Sequence, residues 1–428
     1  MSGQTPAAVP ADNGTVRLGV LFATLYFIQG VGEPVAGLIS QPVRSILKSW
    51  GESPASISAF AAAVSIPWML KPLYGIVSDF VPLWGSRRRS YLLLTSLLGL
   101  FGFIALYELR PAPGNYAWFL VLLITPTVAI AFGDVLVDAL MVEKGQPLGL
   151  TGVLQSVQWA ATYAATLLTG VVGGFLSQRG EEPAGFLICG GLAVATLVMS
   201  WKWVEEEPHT PRENLRATLR ALGSAFRSPA LLGVAVFLFA WSFDPLSNTV
   251  IYLHITEQMG LSEQFFGTTL SMLACGCILG SIGYGVYCRK VPMLWLAHGS
   301  ILLGALSQAA YWPMTDGRSA LVVHVVVGFA WMTASMIQLD LAARVCPPQV
   351  AATIFAALMA LTNLGSSLAE WLAGMWYDTL LRELGGSAAF AAMIAIAVGF
   401  RLGCWLLFVL WPGRGVGWDG EPEATATA

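Results

Sequence analysis

Five ionisable residues sit among almost wholly apolar neighbours: Glu33, Lys71, Asp134, Asp138 and Asp244. Placing a charge in a hydrocarbon interior costs about 2.5–3.5 kcal/mol on insertion scales, so such residues mark a cavity, a partner or a proton path. Glu33 and Asp244 are each followed by proline, which removes a helical hydrogen bond and opens the backbone locally. A carboxylate beside a loosened helix suits a substrate or proton site. A carboxyl that is protonated, or held by a hydroxyl and serving packing alone, is the competing explanation. Asp134 and Asp138 lie one helical turn apart on one face, so both ionise only with a cation or proton between them. Lys71 precedes Asp79 by eight residues and Asp134 precedes Glu143 by nine, which at 1.5 Å per residue puts Lys71 about 12 Å deep and Asp134 at nearly matching depth. They can pair, either as a structural bridge between two helices or in a cluster that trades a proton.

Gln155 and Gln158 share a helix face, and with Trp159, Asn248, Gln338, Asn363 and Glu370 they are further polar residues in apolar runs. A polar pathway and interhelical hydrogen bonding account for them equally well. Trp68, Trp241 and Trp331 can stack on a planar ligand or serve packing and the membrane belt. His254 and His324 are isolated, and no HExxH or cysteine cluster points to a metal. The cysteines Cys189, Cys275, Cys277, Cys288, Cys346 and Cys404 read as small packing residues. With no phosphate-binding glycine loop and no nucleophile beside a base, neither a cofactor nor an enzyme is expected. A net charge of -3 offers no basic surface for nucleic acid.

The elements that position these residues follow from composition. Hydrophobic residues make up 56% of the 428 positions and charged residues 11%, against about 25% charge in a soluble domain. Apolar runs of about 20 residues recur, each able to cross a bilayer core of about 30 Å as a helix that satisfies its own backbone. The predicted spans are Leu18 to Ile39, Ala55 to Asp79, Tyr91 to Leu109, Tyr116 to Val142, Leu150 to Leu176 and Phe186 to Val204. After a polar interval come Leu231 to Ile255, Phe265 to Cys288, Met293 to Trp312, Ala320 to Arg344, Val350 to Trp376 and Ala388 to Trp411. The expectation is an all-α membrane protein of twelve transmembrane helices in two pseudo-symmetric six-helix bundles.

The expected units are a polar tail (1–16), a first bundle (17–204), a linker (205–229), a second bundle (230–412) and a tail (413–428). The tail at 1–16 lacks the charged start and cleavage site of a signal peptide, so the first span is expected to stay as an anchor. In the linker, Thr210, Pro211 and Glu213 form a helix start. Leu215, Leu219, Leu222 and Phe226 then share one face and Arg212, Arg216 and Arg220 another, as in an interfacial helix or a solvated linker. With the amino terminus in the cytoplasm, 14 of the 22 Lys and Arg residues face that side and 6 the other. The positive-inside rule therefore puts both termini in the cytoplasm, with the plasma membrane as the expected location.

The two halves echo each other. Glu33-Pro34 in span 1 and Asp244-Pro245 in span 7 are six spans apart, as are Asp138 in span 4 and Asp340 in span 10. A duplicated carrier leaves such a pattern.

The stretch KPLYGIVSDFVPLWGSRRRSYLLL, Lys71 to Leu94, resembles the loop motif of the major facilitator superfamily, G-x-x-x-D followed by glycine and basic residues. The resemblance implies that Asp79 caps a helix of the opposite half and pairs with loop arginine, holding the cytoplasmic side shut. On that basis Asp79, Arg87, Arg88 and Arg89 form a cytoplasmic gate, with Glu143 as a further partner. Positive-inside bias alone also accounts for the arginines. The longer form of this loop, GDVLVDALMVEKGQ at Gly133 to Gln146 and GVYCRKVPM at Gly285 to Met293 resemble the folate/biopterin transporter family. Tyr287 stands where a duplicated gate would offer aspartate.

That family implies a monomeric secondary transporter of folates, pterins or related solutes, coupled to protons and working by alternating access among membrane lipids. A pterin's 2-amino-4-oxo edge presents two adjacent N–H donors that one carboxylate accepts as a pair. Glu33, Asp134, Asp138 or Asp244 suit that role, and Lys71 or Arg401 suits the carboxylated tail of a folate. Rival readings are a permease for a muropeptide or nucleoside-like solute and a non-transporting membrane receptor.

Overall fold

The computed structural model describes residues 13–410 except 146, 149, 207–222, 224–226, 288–290 and 346–350. The proposed linker helix, Cys288, Cys346, residues 1–12 and the tail at 413–428 lie outside the described residues, while 13–16, expected in the polar tail, open the first helix. The first half comprises α1 (Asn13–Gly32), α2 (Ser40–Ser49), α3 (Pro54–Val64), α4 (Ile66–Met69), α5 (Lys71–Phe80), α6 (Arg89–Leu109), α7 (Tyr116–Gly145), α8 (Thr151–Arg179) and α9 (Glu182–Trp203). The second comprises α10 (Pro229–Ser242), α11 (Asn248–Leu253), a π-helical turn (His254–Gln258), α12 (Glu263–Tyr287), α13 (Met293–Ala309), α14 (Gly317–Arg344), α15 (Ala351–Leu384) and α16 (Gly386–Leu410). Among the described residues nine helices are long and apolar enough to cross a membrane. Pro229–Ser242 and Met293–Ala309 are shorter apolar helices at two further predicted spans, and α15 occupies the predicted span 11.

Among the described residues, three spans that look continuous in sequence are interrupted, each at proline. Span 1 leaves the helix after Gly32, seven residues short of the predicted Ile39. Pro34 has no N–H to donate, and the chain turns so that Gly37 donates to the Glu33 carbonyl at 2.8 Å and Leu38 to Val31 at 2.9 Å. A side chain at Gly37 would collide with both carbonyl oxygens. The chain then forms α2, a helix that the span plan did not anticipate. Span 2 divides into α3, α4 and α5 around Pro67 and Pro72. Pro72 leaves the carbonyl of Trp68, four residues earlier, without its helical donor, and Asn363 of α15 supplies one at 3.2 Å. Span 7 breaks over 243–247; Asp244 Oδ1 accepts from the Leu246 N–H and Ser247 Oγ caps α11 by accepting from Val250.

The halves pack through α8 on α12 and through span 2 on α15. Gly170 and Gly267 bring α8 and α12 into backbone contact, where a side chain on either would overlap the other's carbonyl oxygen. The apolar core is distributed unevenly between the two ends of the helix bundle. At the α2 end a single cluster joins both halves, including Ile39, Phe60 and Phe119 from the first and Tyr252, Phe266 and Phe390 from the second. At the opposite end, where the Leu83–Arg88 loop lies, the core divides. One cluster there, around Tyr26, Leu136 and Leu140, belongs to the first half, and another, around Phe237, Leu296 and Ile337, to the second.

Candidate functional site

Lys71 begins α5 because Pro72 starts a new helical turn, and its side chain reaches α7. Its Nζ lies 2.7 Å from Asp134 Oδ2, with both side chains about one-sixth exposed, and 4.7 Å from the Trp68 ring centre. One turn further along α7, Asp138 accepts from the Tyr26 hydroxyl at 2.7 Å and from Gln158 Nε2 at 3.2 Å. Glu33, half-buried at the end of α1, stands within electrostatic range of Asp134 and Lys71. Helices α1, α5, α7 and α8 thus gather Glu33, Lys71, Asp134, Asp138 and Gln158 into one cluster of three acids, one base and neutral donors. Such a set can hold a cation or proton between its carboxylates and can present paired acceptors to a polar solute.

Asp244 is not part of that cluster. Arg401 Nη2 of α16 pairs with its Oδ2 at 2.7 Å and Gln308 Nε2 of α13 donates to the same oxygen at 2.7 Å. Arg401, almost fully buried, also donates to the Trp241 carbonyl and lies over the Trp241 ring. The carboxylate is therefore neutralised and oriented within the second half. Gln155 and Asn248 are exposed. Gln338 donates to Ser300 at 2.6 Å between packed helices. Asp340 accepts from Tyr284 at 3.0 Å, a hydroxyl–carboxylate contact like that of Tyr26 with Asp138. His254 stacks on Phe390 and His324 packs edge-on to Tyr311.

In the loop between α5 and α6, Arg88 Nη2 is 2.5 Å from Asp79 Oδ1 and 2.9 Å from Glu143 Oε1, and Arg88 Nη1 donates to Ser78 at 2.6 Å. Arg87 stands 3.9 Å from Glu143. Arg89 donates to the Trp201 carbonyl and lies over its ring. All these contacts lie within the first half, so here Asp79 engages Arg88 of its own half.

Glu206 completes this loop, and sequence reading passed over it. Its carboxylate accepts from Ser86 Oγ at 2.5 Å and from the N–H groups of Arg87, Arg88 and Arg89 at 2.8–3.1 Å. It thereby meets the unpaired donors and the positive end of the α6 dipole. Burial pushes this carboxyl up, but the hydrogen bonds from Ser86 and from the Arg88, Arg87 and Arg89 backbones outweigh burial and hold it below the usual carboxylate value. Tyr26 and Gln308 were also missed; a lone tyrosine or glutamine in an apolar run carries no signal of its partner.

The chain matches the BT1 family over residues 29–388. It is 32% identical over 380 residues to the folate-biopterin transporter of Synechocystis sp., covering 82% of this chain and 74% of that one. It is 22% identical over 355 residues to folate transporter 2 of Plasmodium falciparum, covering 79% and 77%. Its fold is that of solved major facilitator carriers. A D-xylose-proton symporter superposes with a TM-score of 0.70 at 14% identity, covering 91% of this chain and 97% of that one. A nucleoside transporter superposes with a TM-score of 0.70 at 12% identity, covering 93% and 99%. With buried charges on such a scaffold and a family match over most of its length, the chain is a membrane transporter, not an enzyme, and belongs to the BT1 family.

Proposed function

We propose that this protein carries a folate, a pterin or a related small organic solute across the membrane, coupled to protons, with its two halves opening a central site to alternate sides. The observation that carries the reading is the cluster of Lys71, Asp134 and Asp138 among apolar helices, with Glu33 within electrostatic range. Relatives named as folate and folate-biopterin transporters support the solute class. In this reading one carboxylate of the cluster accepts the paired donors of a pterin edge. Lys71 leaves Asp134 to meet an anionic group, and Asp138 carries the proton. Gln158 orients Asp138, and Gln155 and Asn248 line the approach. Asp244, already matched to Arg401, keeps the break in span 7 in place.

Asp79, Arg87, Arg88, Arg89 and Glu143 act as the cytoplasmic gate, which is open while Arg88 holds Asp79 within the first half. The bundles at 17–204 and 230–412 are the moving bodies, working as a monomer in the plasma membrane with both termini in the cytoplasm. The divided core at the loop end and the joined core at the α2 end support an inward-open arrangement.

Uptake of labelled folate, pterin and a nucleoside control into proteoliposomes, with and without an imposed proton gradient, tests the proposal. Saturable uptake of folate or pterin that rises with the gradient is expected. Uptake of the nucleoside alone, or of no solute, overturns it.

A further inference from the structure

We propose that α2 is the outer gate of the carrier: a helix fixed to the first half by its apolar face and clasped to the second half by its polar face. This rests on the alternating-access reading above. Val43 and Leu47, one turn apart, are buried beside Ile57 and Phe60 of α3 and Leu123 of α7, and α2 also packs on α8 and α9 of its own half, with Pro42 against Gly173. Gln41, Arg44 and Lys48, spaced three and four residues apart, share another face, and all three reach the second half. Lys48 Nζ lies 3.3 Å from Glu263 Oε1. Gln41 Nε2 donates to the Glu263 carbonyl at 2.7 Å and to its carboxylate at 3.2 Å. The Tyr252 hydroxyl holds the same carboxylate at 2.7 Å. Deeper in, Arg44 Nε donates to Thr249 Oγ1 at 3.2 Å and stands within electrostatic range of Glu370 on α15.

The two faces of α2 differ in how they can separate. Apolar burial within the first half has no substitute in water, whereas every polar contact of the clasp can be exchanged for a water contact. The Lys48–Glu263 pair is already partly exposed. Below the clasp, the backbone contact of Gly170 with Gly267 and the Ser271 Oγ bond to the Leu167 carbonyl at 2.7 Å join α8 to α12, with no side chains at the glycines to reorganise. That contact is the pivot. The clasp parts first from its exposed rim, and the cluster around Lys71 becomes reachable from the α2 side.

The test uses Asn248→Cys, an exposed position next to Thr249, in a full-length cysteine-free background reconstituted into liposomes. A membrane-impermeant maleimide is added from the α2 side. Lys48→Glu and Glu263→Lys each set like charges face to face, and each is expected to speed labelling roughly tenfold. The charge-swapped double variant restores the protection of the parent. Where charge reversal prevents insertion, Lys48→Gln and Glu263→Gln give the same comparison, with a smaller rise. Single variants that label no faster than a protected parent, or a double variant that labels as fast as the singles, overturn the gate and leave alternating access standing. A parent that labels equally from both sides overturns the alternating-access reading itself, and the gate with it.

Discussion

The Tyr26 hydroxyl donates to Asp138 at 2.7 Å, while Lys71 holds Asp134 one turn away on the same helix. Two carboxylates on one face of α7 thus have partners of different kinds, a neutral donor for one and a cation for the other. Asp138 can take up a proton with little rearrangement of Tyr26. Asp134 instead faces a cation.

This division predicts distinct phenotypes. Asp138→Asn is expected to abolish proton-driven accumulation while solute exchange across the same liposomes persists. Tyr26→Phe removes a hydrogen bond to a charged group, worth about 1.5–3 kcal/mol, and should slow accumulation roughly tenfold or more. Equal loss of exchange and accumulation in Asp138→Asn would contradict the assignment.

The Lys71–Asp134 pair predicts a stability pattern. Removing one partner of a buried pair leaves an uncompensated charge and costs about 3–5 kcal/mol, whereas replacing both by neutral groups is much less costly. Lys71→Met and Asp134→Asn should each lower the melting temperature in detergent, and the double variant should recover most of the loss. A double variant less stable than either single one would show that the pair does not act as a unit.

Glu206 predicts a pH dependence. Its carboxyl is held below the usual carboxylate value by hydrogen bonds from the loop. Its contribution is therefore complete above the unfolded value of about 4.3 and is lost as pH falls through the lower folded value. Glu206→Gln should cost about 0.5–1 kcal/mol near neutral pH, the lower range for a helix cap because the group is half-exposed. Thermal melts of the two proteins should differ at pH 7 and converge as pH drops below about 4. A gap that widens in acid would reverse the sign argued here.

Pro72 and Asn363 predict a coupling. Pro72→Ala restores an N–H that can bond the Trp68 carbonyl within span 2, in competition with Asn363. Asn363→Ala, expected to cost about 1 kcal/mol in the parent, should be close to neutral beside Pro72→Ala. A double-mutant cycle on melting temperature reads the difference, and strictly additive effects would refute it.

Hydropathy made most of the architecture legible, because a membrane span must be both long and apolar. It did not show where spans break. Pro34, Pro67 and Pro72 were visible, yet whether proline kinks a helix or ends it depends on what satisfies the freed carbonyl, and Asn363 does that from 295 positions away. Depth reckoning placed Lys71 and Asp134 at one level, where the structure pairs them. The same reckoning could not tell that Arg401 would meet Asp244, since helix rotation decides which side chains at a given level face each other. Glu206 was hidden for the opposite reason: in a polar stretch a carboxylate looks like any solvated charge, and its four donors are mostly backbone. The α2 helix carries its signal in the three- and four-residue spacing of Gln41, Arg44 and Lys48, masked by the end of an apolar run.

The joined core at the α2 end also bears on temperature. Parting the halves there would wet aromatic and aliphatic surface that is now dry, including Phe60, Phe266 and Phe390. Hydration of such surface raises the heat capacity, and the penalty for it shrinks on cooling. In the proposed alternating cycle, chilling should therefore favour the form whose α2 end is open, even as it slows the exchange between forms.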